Sequence, residues 1–410
     1  MSTLAAMPRL SSACAVWAGW AVARVALLAL IVYEPGPMTD VNYYFGGAGQ
    51  EDGLREYPHA ATWVIYLLHW LTAPDLPAFQ VAFLAMNLLI DALFLALLLH
   101  GRLPARQAAQ AGWFWVFFGT ACGQVLLMRL DLIPAVLVGA FAALLFLNGV
   151  LASVLLAAAT AVKLWPGVLG AGLVGGLRER GTWVRVTAFF AALAGLVLIT
   201  LAVGGLDRLL SPLTYQGERG LQVESVAATV AVAAAQFRPE LYDVHFADSK
   251  SWEIAGPGVD ALIGVADAAM VSVVAGALGW ALFALWRGRF TPSVAVAFGV
   301  TIVAGLLVAN KVFSPQYVIW LGPILAVALR TSAFSHPRWL GVLAVAAAAL
   351  STVIYPFFYG DVLSPASGVV GVVALLARNV LVVAILIGSL RWLRAEMRAA
   401  ARSRSRVIVR

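Results

Sequence analysis

Apolar stretches of about 18 to 25 residues, each carrying few charges, recur along the whole chain. A helix rising about 1.5 Å per residue needs about 20 such residues to cross a hydrocarbon layer of roughly 30 Å, and there its backbone polar groups must satisfy one another. Composition agrees. Of 410 residues, 62% are hydrophobic and 11% charged, against roughly 25% charged in a soluble domain. Length therefore counts spans rather than globular domains.

Spans are predicted near 13–33, 78–99, 108–126, 132–147, 184–204, 260–286, 291–309, 316–330, 338–356 and 367–390. The first follows Arg9 as a secretory signal would. It is too long for one, and Glu34-Pro35-Gly36-Pro37 lacks a small-residue cleavage pattern, so it reads as a retained span. Between Val150 and Leu177 the apolar run breaks at Lys163-Leu164-Trp165-Pro166-Gly167. Each half is too short to cross comfortably, so a broken or re-entrant pair is expected.

With the N-terminus inside, the cytosolic turns carry Arg102 and Arg106, then Arg178, Arg180 and Arg185, then Arg287 and Arg289, then Arg330 and Arg338. This satisfies the positive-inside rule, whereas counting 150–177 as one span reverses every later loop. Sixteen of the 20 acidic residues, all but Asp91, Glu179, Asp267 and Glu396, fall on the outer side. Two outer loops, 34–77 and 205–259, are long, and loops on a scaffold of this kind are where chemistry is expected.

The predicted fold is an all-α polytopic transmembrane bundle of about 10–12 membrane segments in one unit, 1–390, followed by a basic cytosolic tail, 391–410. Seven of the 27 basic residues lie in that tail, so anionic lipid headgroups account for much of the +7 charge and no nucleic-acid partner is expected. Cys14 and Cys122, each inside an apolar segment, point to neither a disulfide framework nor a zinc site.

The first outer loop carries Asp40-Val41-Asn42-Tyr43-Tyr44-Phe45-Gly46-Gly47-Ala48 and then Glu56-Tyr57-Pro58-His59. Asp40 stands just past the first span, beside aromatic rings that stack on a sugar or an isoprenoid. Desolvation raises the pKa of a carboxylate between water and apolar walls, which makes it a usable general base. Capping a short helix along the membrane is the plainer role, and both fit the residues.

Arg129-Leu130-Asp131 puts two opposite charges at the outer end of two spans, where mutual pairing is expected because either charge buried alone is costly. Lys163, alone in an apolar run, calls for an anionic partner, a water-filled cavity or a lipid phosphate. Lys311, Gln316 and Tyr317 sit at an outer mouth as donors for phosphate or sugar hydroxyls, or as a polar turn with an interfacial tyrosine. The stretch from Tyr215 to Ser225, with Arg219 and Glu224, is dense in polar groups and is predicted as an amphipathic or solvated helix. The five histidines lack metal-ligand spacing, Asp-x-Asp is absent, and Glu51-Asp52 is a weak substitute, so no metal site or cofactor is expected. Walker, dinucleotide, HExxH and nucleophile-elbow motifs are also absent.

In order along the chain, Asp40-x-x-Tyr43 with Gly46-Gly47-Ala48, Tyr57-Pro58, Lys163-Leu164-Trp165-Pro166, Arg219-Gly220-Leu221-Gln222-Val223-Glu224-Ser225 and Phe313-Ser314-Pro315-Gln316-Tyr317 form a recognisable set. Together they resemble the integral-membrane GT-C glycosyltransferases, specifically the family 87 group with its polyprenyl-phosphomannose-dependent mannosyltransferases. Each motif is short, and their order is more specific than any one alone. The resemblance implies a GT-C bundle in the plasma membrane and a sugar donor carried on polyprenyl phosphate. It further implies inverting, metal-independent transfer on the outer face to a glycolipid or polysaccharide acceptor.

The family's base is an aspartate in the first outer loop, matched by Asp40. Charge and position assign the donor phosphate to some of Arg129, Lys163, Arg219 and Lys311. Tyr43, Tyr44, Glu56, Tyr57, His59, Glu224, Gln316 and Tyr317 are the candidates for sugar and acceptor binding. Family members often read Tyr-Pro-Pro where this chain has Tyr57-Pro58-His59, a departure that bears on the acceptor. Mannose is the family's commonest sugar, with arabinose and glucose as alternatives. Rival readings are a lipid or sugar transporter or flippase, which a broken helix with a mid-membrane lysine also suits, and a non-catalytic scaffold of the same fold. Two long outer loops and the lack of a clear repeat count against the transporter.

Overall fold

Side-chain caps decide where several helices begin. Ser12 Oγ accepts from Ala15 N–H at 3.2 Å, Asp75 from Ala78 at 3.1 Å and Thr291 from Val294 at 3.2 Å, each taking up a donor that the first helical turn leaves over. The computed structural model describes residues 12–50, 53–100, 105–217, 219–288 and 290–408; Arg9, Glu51, Asp52, Arg102, Glu218, Arg289 and Arg410 lie outside them.

The chain runs through α1 (Ala13–Tyr33), α2 (Thr39–Ala48), α3 (His59–Thr72), α4 (Leu76–Leu99), α5 (Ala105–Ala121), α6 (Val125–Met128), α7 (Leu132–Leu144) and α8 (Gly149–Val162). A 3-10 segment, Trp165–Leu173, leads to α9 (Arg180–Gly217) and α10 (Thr229–Ala235). Two strands follow, β1 (Asp243–Phe246) and β2 (Trp252–Ala255), then α11 (Val259–Arg287) and α12 (Pro292–Ala309). After a 3-10 turn, Pro315–Trp320, come α13 (Leu321–Thr331), α14 (His336–Thr352), α15 (Tyr359–Leu363) and α16 (Val370–Ile408).

The protein is nearly all-α and has the helices of a multi-pass membrane protein. Among the described residues, seven helices are long and apolar enough to cross a membrane: α1, α4, α9, α11, α12, α14 with its continuation to Phe357, and α16. The expected spans at 108–126, 132–147 and 316–330 are shorter helices, α5, α7 and α13. The apolar run from Val150 breaks as expected, α8 ending at Val162 before the 3-10 segment. One extensive core joins α1, α4, α5, α7, α8, α12, α13, α14 and α16, and a smaller one lies under residues 221–235 and the start of α16.

The stretch 34–77, predicted as a long connection between spans, holds α2 and α3. The polar run from Tyr215 does not stay helical to Ser225. Helix α9 ends at Gly217, and residues 221–223 are extended alongside the β1–β2 hairpin, with Ile254 N–H donating to Leu221 O at 3.0 Å and Val223 N–H to Trp252 O at 3.1 Å. Gly220 leaves room for the Glu253 carboxylate, since a Cβ there would lie 2.2 Å from Glu253 Oε2. Within the predicted basic tail, residues 391–408 continue α16 as one helix.

Two of the charges inside spans satisfy each other. Arg24 of α1 and Asp91 of α4 are buried, with Nε–Oδ2 at 2.6 Å and Nη2–Oδ1 at 2.9 Å, and Trp20 Nε1 adds a donor at 2.6 Å. Gly119 of α5 leaves room for the guanidinium, because a Cβ at that position would sit 2.3 Å from Arg24 Nη2. Removing one partner strands the other charge in an apolar interior. Asp91→Ala is therefore expected to cost about 3–5 kcal/mol, read as a marked fall in the melting temperature of the purified protein, with Asp91→Asn milder.

Candidate functional site

The turn out of α1 aims a carboxylate inward. Pro35, Gly36 and Pro37 redirect the chain, Gly36 N–H donating to Glu34 Oε1 at 3.0 Å, and α2 starts with Asp40 in its first turn, where the helix dipole favours an anion. Asp40 Oδ2 meets Arg129 Nη2 at 2.5 Å. Arg129, between α6 and α7, is 4% exposed and also donates to Pro37 O at 2.9 Å. Burial lifts the Asp40 carboxyl above its ordinary value, with Arg129 pulling the other way and Asp131 adding to the rise.

A second pair lies nearby. Asp131 opens α7 and Lys163 closes α8, so the antiparallel helices bring a positive and a negative dipole end to the matching charges. Lys163 Nζ is 2.5 Å from Asp131 Oδ1, which also accepts from Trp320 Nε1 at 2.7 Å. Lys163 further lies 4.6 Å from the Tyr317 ring centroid, and that ring stacks on Trp320 at 4.2 Å. The pairing expected between Arg129 and Asp131 thus does not form. Each charge finds its partner on another element, Arg129 on α2 and Asp131 at the end of α8.

Both pairs line a cavity of about 1020 Å³. A third cationic group stands on its wall. Gln222 N–H donates to Lys311 O at 3.0 Å and Arg219 Nη2 to Ser249 O at 3.2 Å, so Arg219, Lys250 and Lys311 come from neighbouring backbone segments. Lys250 occupies the hairpin turn at φ 57°, an uncommon angle for a residue with a side chain. Among the described residues, the carboxylate paired with Lys311 is Asp267, whose Oδ1 is 4.0 Å away and exposed. Leu164, Val168, Leu213, Met270, Val274 and Leu306 give the same cavity an apolar side.

Asp40, Tyr43, Glu56, Tyr57, Arg129, Lys163, Arg219, Lys311, Gln316 and Tyr317 all line the cavity. Tyr43 donates to Glu56 Oε1 at 2.6 Å. Three other candidates do not line it. Tyr44 is buried behind α2 against Tyr57 and Phe83, with ring centroids 5.7 and 5.5 Å apart. His59 opens α3 with its ring edge-on to Trp63, and burial lowers its pKa. Glu224 is fully buried against Arg378 at 3.4 Å, and desolvation pushes its carboxyl up to about 7 despite that guanidinium. It anchors residues 224–225 to α16, where Asn379 donates to Ser225 O at 3.3 Å.

Lys250, Tyr355, Tyr359, Trp165 and Trp320 line the cavity as well. Lys250 had one sequence signal, being among only three lysines. The tyrosines arrive through a break in helical winding at Val353–Phe357, for which Pro356 was the sequence signal. Among the described residues, no three His, Cys, Asp or Glu side chains gather as a metal ion requires, and Cys14 and Cys122 are free thiols.

Breaking the Asp131–Lys163 pair from one side strands a charge, whereas removing both does not. Asp131→Ala is expected to lower the melting temperature more than the Asp131→Ala, Lys163→Met double variant does. Additive losses would show that the two groups are independent. No protein-family model, curated protein or solved structure matches the chain.

Proposed function

We propose that this chain is a membrane glycosyltransferase of the GT-C type. It moves a sugar, mannose by the resemblance, from a polyprenyl-phosphate donor to a hydroxyl of a glycolipid or other cell-envelope glycan. One observation carries this reading: a single cavity gathers a carboxylate, cations and an apolar side from segments as far apart as Asp40 and Lys311. Residues 1–390 form the catalytic unit, both termini lie in the cytosol and the cavity opens on the outer face. The broken 149–173 segment is a re-entrant pair that delivers Lys163 to the cavity.

Charge bookkeeping narrows the phosphate site. Arg129 and Lys163 are already neutralised by Asp40 and Asp131, so the donor phosphate sits with Arg219, Lys250 and Lys311, and the prenyl chain follows the apolar side. Charge-assisted bonds to phosphate oxygens stabilise the departing anion. The acceptor oxygen attacks the anomeric carbon from the opposite face as the bond from that carbon to the phosphate oxygen breaks, its electron pair staying on phosphate. The acceptor's proton passes to Asp40. No carboxylic acid is needed for the leaving group, and inversion follows from the single displacement.

General-base catalysis contributes about 10²–10⁴ in rate. Asp40→Asn is therefore expected to bind donor normally and lose at least about 100-fold in transfer, measured with radiolabelled polyprenyl-phosphomannose and a membrane-lipid extract. A fully active Asp40→Asn enzyme would remove the mechanism. A transporter or scaffold would yield no new labelled product at all. Because burial raises Asp40, the acid limb of the rate profile lies above the ordinary carboxylate range, activity falling as pH drops through it. Lys311→Ala is expected to weaken donor binding by about tenfold; donor affinity equal to wild type would remove Lys311 from the phosphate site.

A further inference from the structure

Tyr355 lies where α14 loses its helical winding. Residues Val353–Phe357 form a π turn in which Tyr355 takes φ −121° and ψ 121°, and such local breaks redirect side chains. The break is pinned on the stretch that leads to Arg129. Thr352 Oγ1 donates to Ala121 O at 2.7 Å, and Gly123, at φ +59°, leaves the space that Thr352 occupies, where a Cβ would lie 2.7 Å from its Cγ2. A side chain at position 123 would therefore both strain the backbone and push α14 away.

This registration sets the Tyr355 hydroxyl 3.4 Å from Arg129 Nη2, from which it accepts. The ring is held in turn by Tyr359, edge-on at 5.2 Å. Among the described residues the guanidinium thus has four acceptors: the neighbouring Met128 O at 3.4 Å, Pro37 O, Asp40 Oδ2 and the Tyr355 oxygen. Two belong to the α1–α2 segment and one to Arg129's own backbone neighbour, so among the described residues Tyr355 alone ties the group to the far side of the cavity.

Resting on the reading of Asp40 as the base, we propose that Tyr355 is a positioning residue whose hydroxyl fixes Arg129 and, through it, the direction in which the Asp40 carboxylate faces the cavity. The titratable groups around Asp40 are Arg129, Asp131, Tyr44, Tyr57 and Tyr355. Arg129 is the cation among them. Loosening its hold leaves burial and Asp131 less opposed, so the carboxyl takes up its proton at higher pH.

Infrared titration of the purified protein in lipid nanodiscs tests this without depending on activity, the Asp40 band being the one lost in Asp40→Asn. In Tyr355→Phe the midpoint of that band is expected to move to higher pH while the melting temperature stays at the wild-type value. Transfer from radiolabelled polyprenyl-phosphomannose is expected to fall on the order of tenfold with donor binding unchanged. An unchanged midpoint in Tyr355→Phe overturns the proposal. Should the Phe variant not fold, 4-fluorophenylalanine at position 355 keeps the ring's shape, replaces the hydroxyl with a poor acceptor that does not ionise, and is expected to shift the band the same way. A shifted band together with an active Asp40→Asn enzyme overturns the base and leaves the positioning contact standing.

Discussion

Among the described residues, buried Arg24 and Asp91, and Arg378 and Glu224, meet as ion pairs, and the pair of buried Arg129 with half-buried Asp40 organises the cavity. An ion in an apolar interior is costly unless a partner and further hydrogen bonds answer it. Arg129 finds its answers on the α1–α2 turn and on the broken end of α14, so one guanidinium joins segments more than 200 positions apart. Asp131, Lys163 and Trp320 do the same for α7, α8 and the turn before α13. These contacts hold the cavity walls at fixed separations, which a lining of aliphatic side chains alone would not specify.

The pairing has a functional consequence. Cations that belong to carboxylates are poor holders of a ligand's phosphate, because binding would first have to free them. Arg219, Lys250 and Lys311 carry less compensation, so the cavity has a neutralised end with a carboxylate and a cationic rim beside apolar walls. Under the proposed function, the cationic rim takes the phosphate and the apolar walls take the prenyl chain.

Much of the architecture was legible in the sequence because hydrocarbon thickness imposes a length on every span: α1, α4, α11 and α12 begin and end within about two residues of expectation. The broken run at Lys163 was legible too, since Pro166 and a lone ammonium both oppose a continuous span. Helix α3 was not, because its 14 residues, interrupted by His59, Thr62, His69 and Thr72, are too short and too mixed to read as a span. Ten of 13 candidate residues reach the cavity wall, yet Glu224 does not. Its polar surroundings suggested a site, whereas they satisfy a buried loop anchored on Arg378 and Asn379. Partner identity was the least legible property, for sequence adjacency joined Arg129 to Asp131 where the fold sends each to a different element.

The most direct measurement is a structure of the protein in a lipid nanodisc with a polyprenyl-phosphate sugar bound. The account predicts the phosphate among Arg219, Lys250 and Lys311, the prenyl chain along Met270 and Val274, and the anomeric carbon facing the Asp40 carboxylate. A donor lodged elsewhere on the molecule, or a phosphate seated away from that cationic rim with Asp40 remote from the sugar, would contradict it.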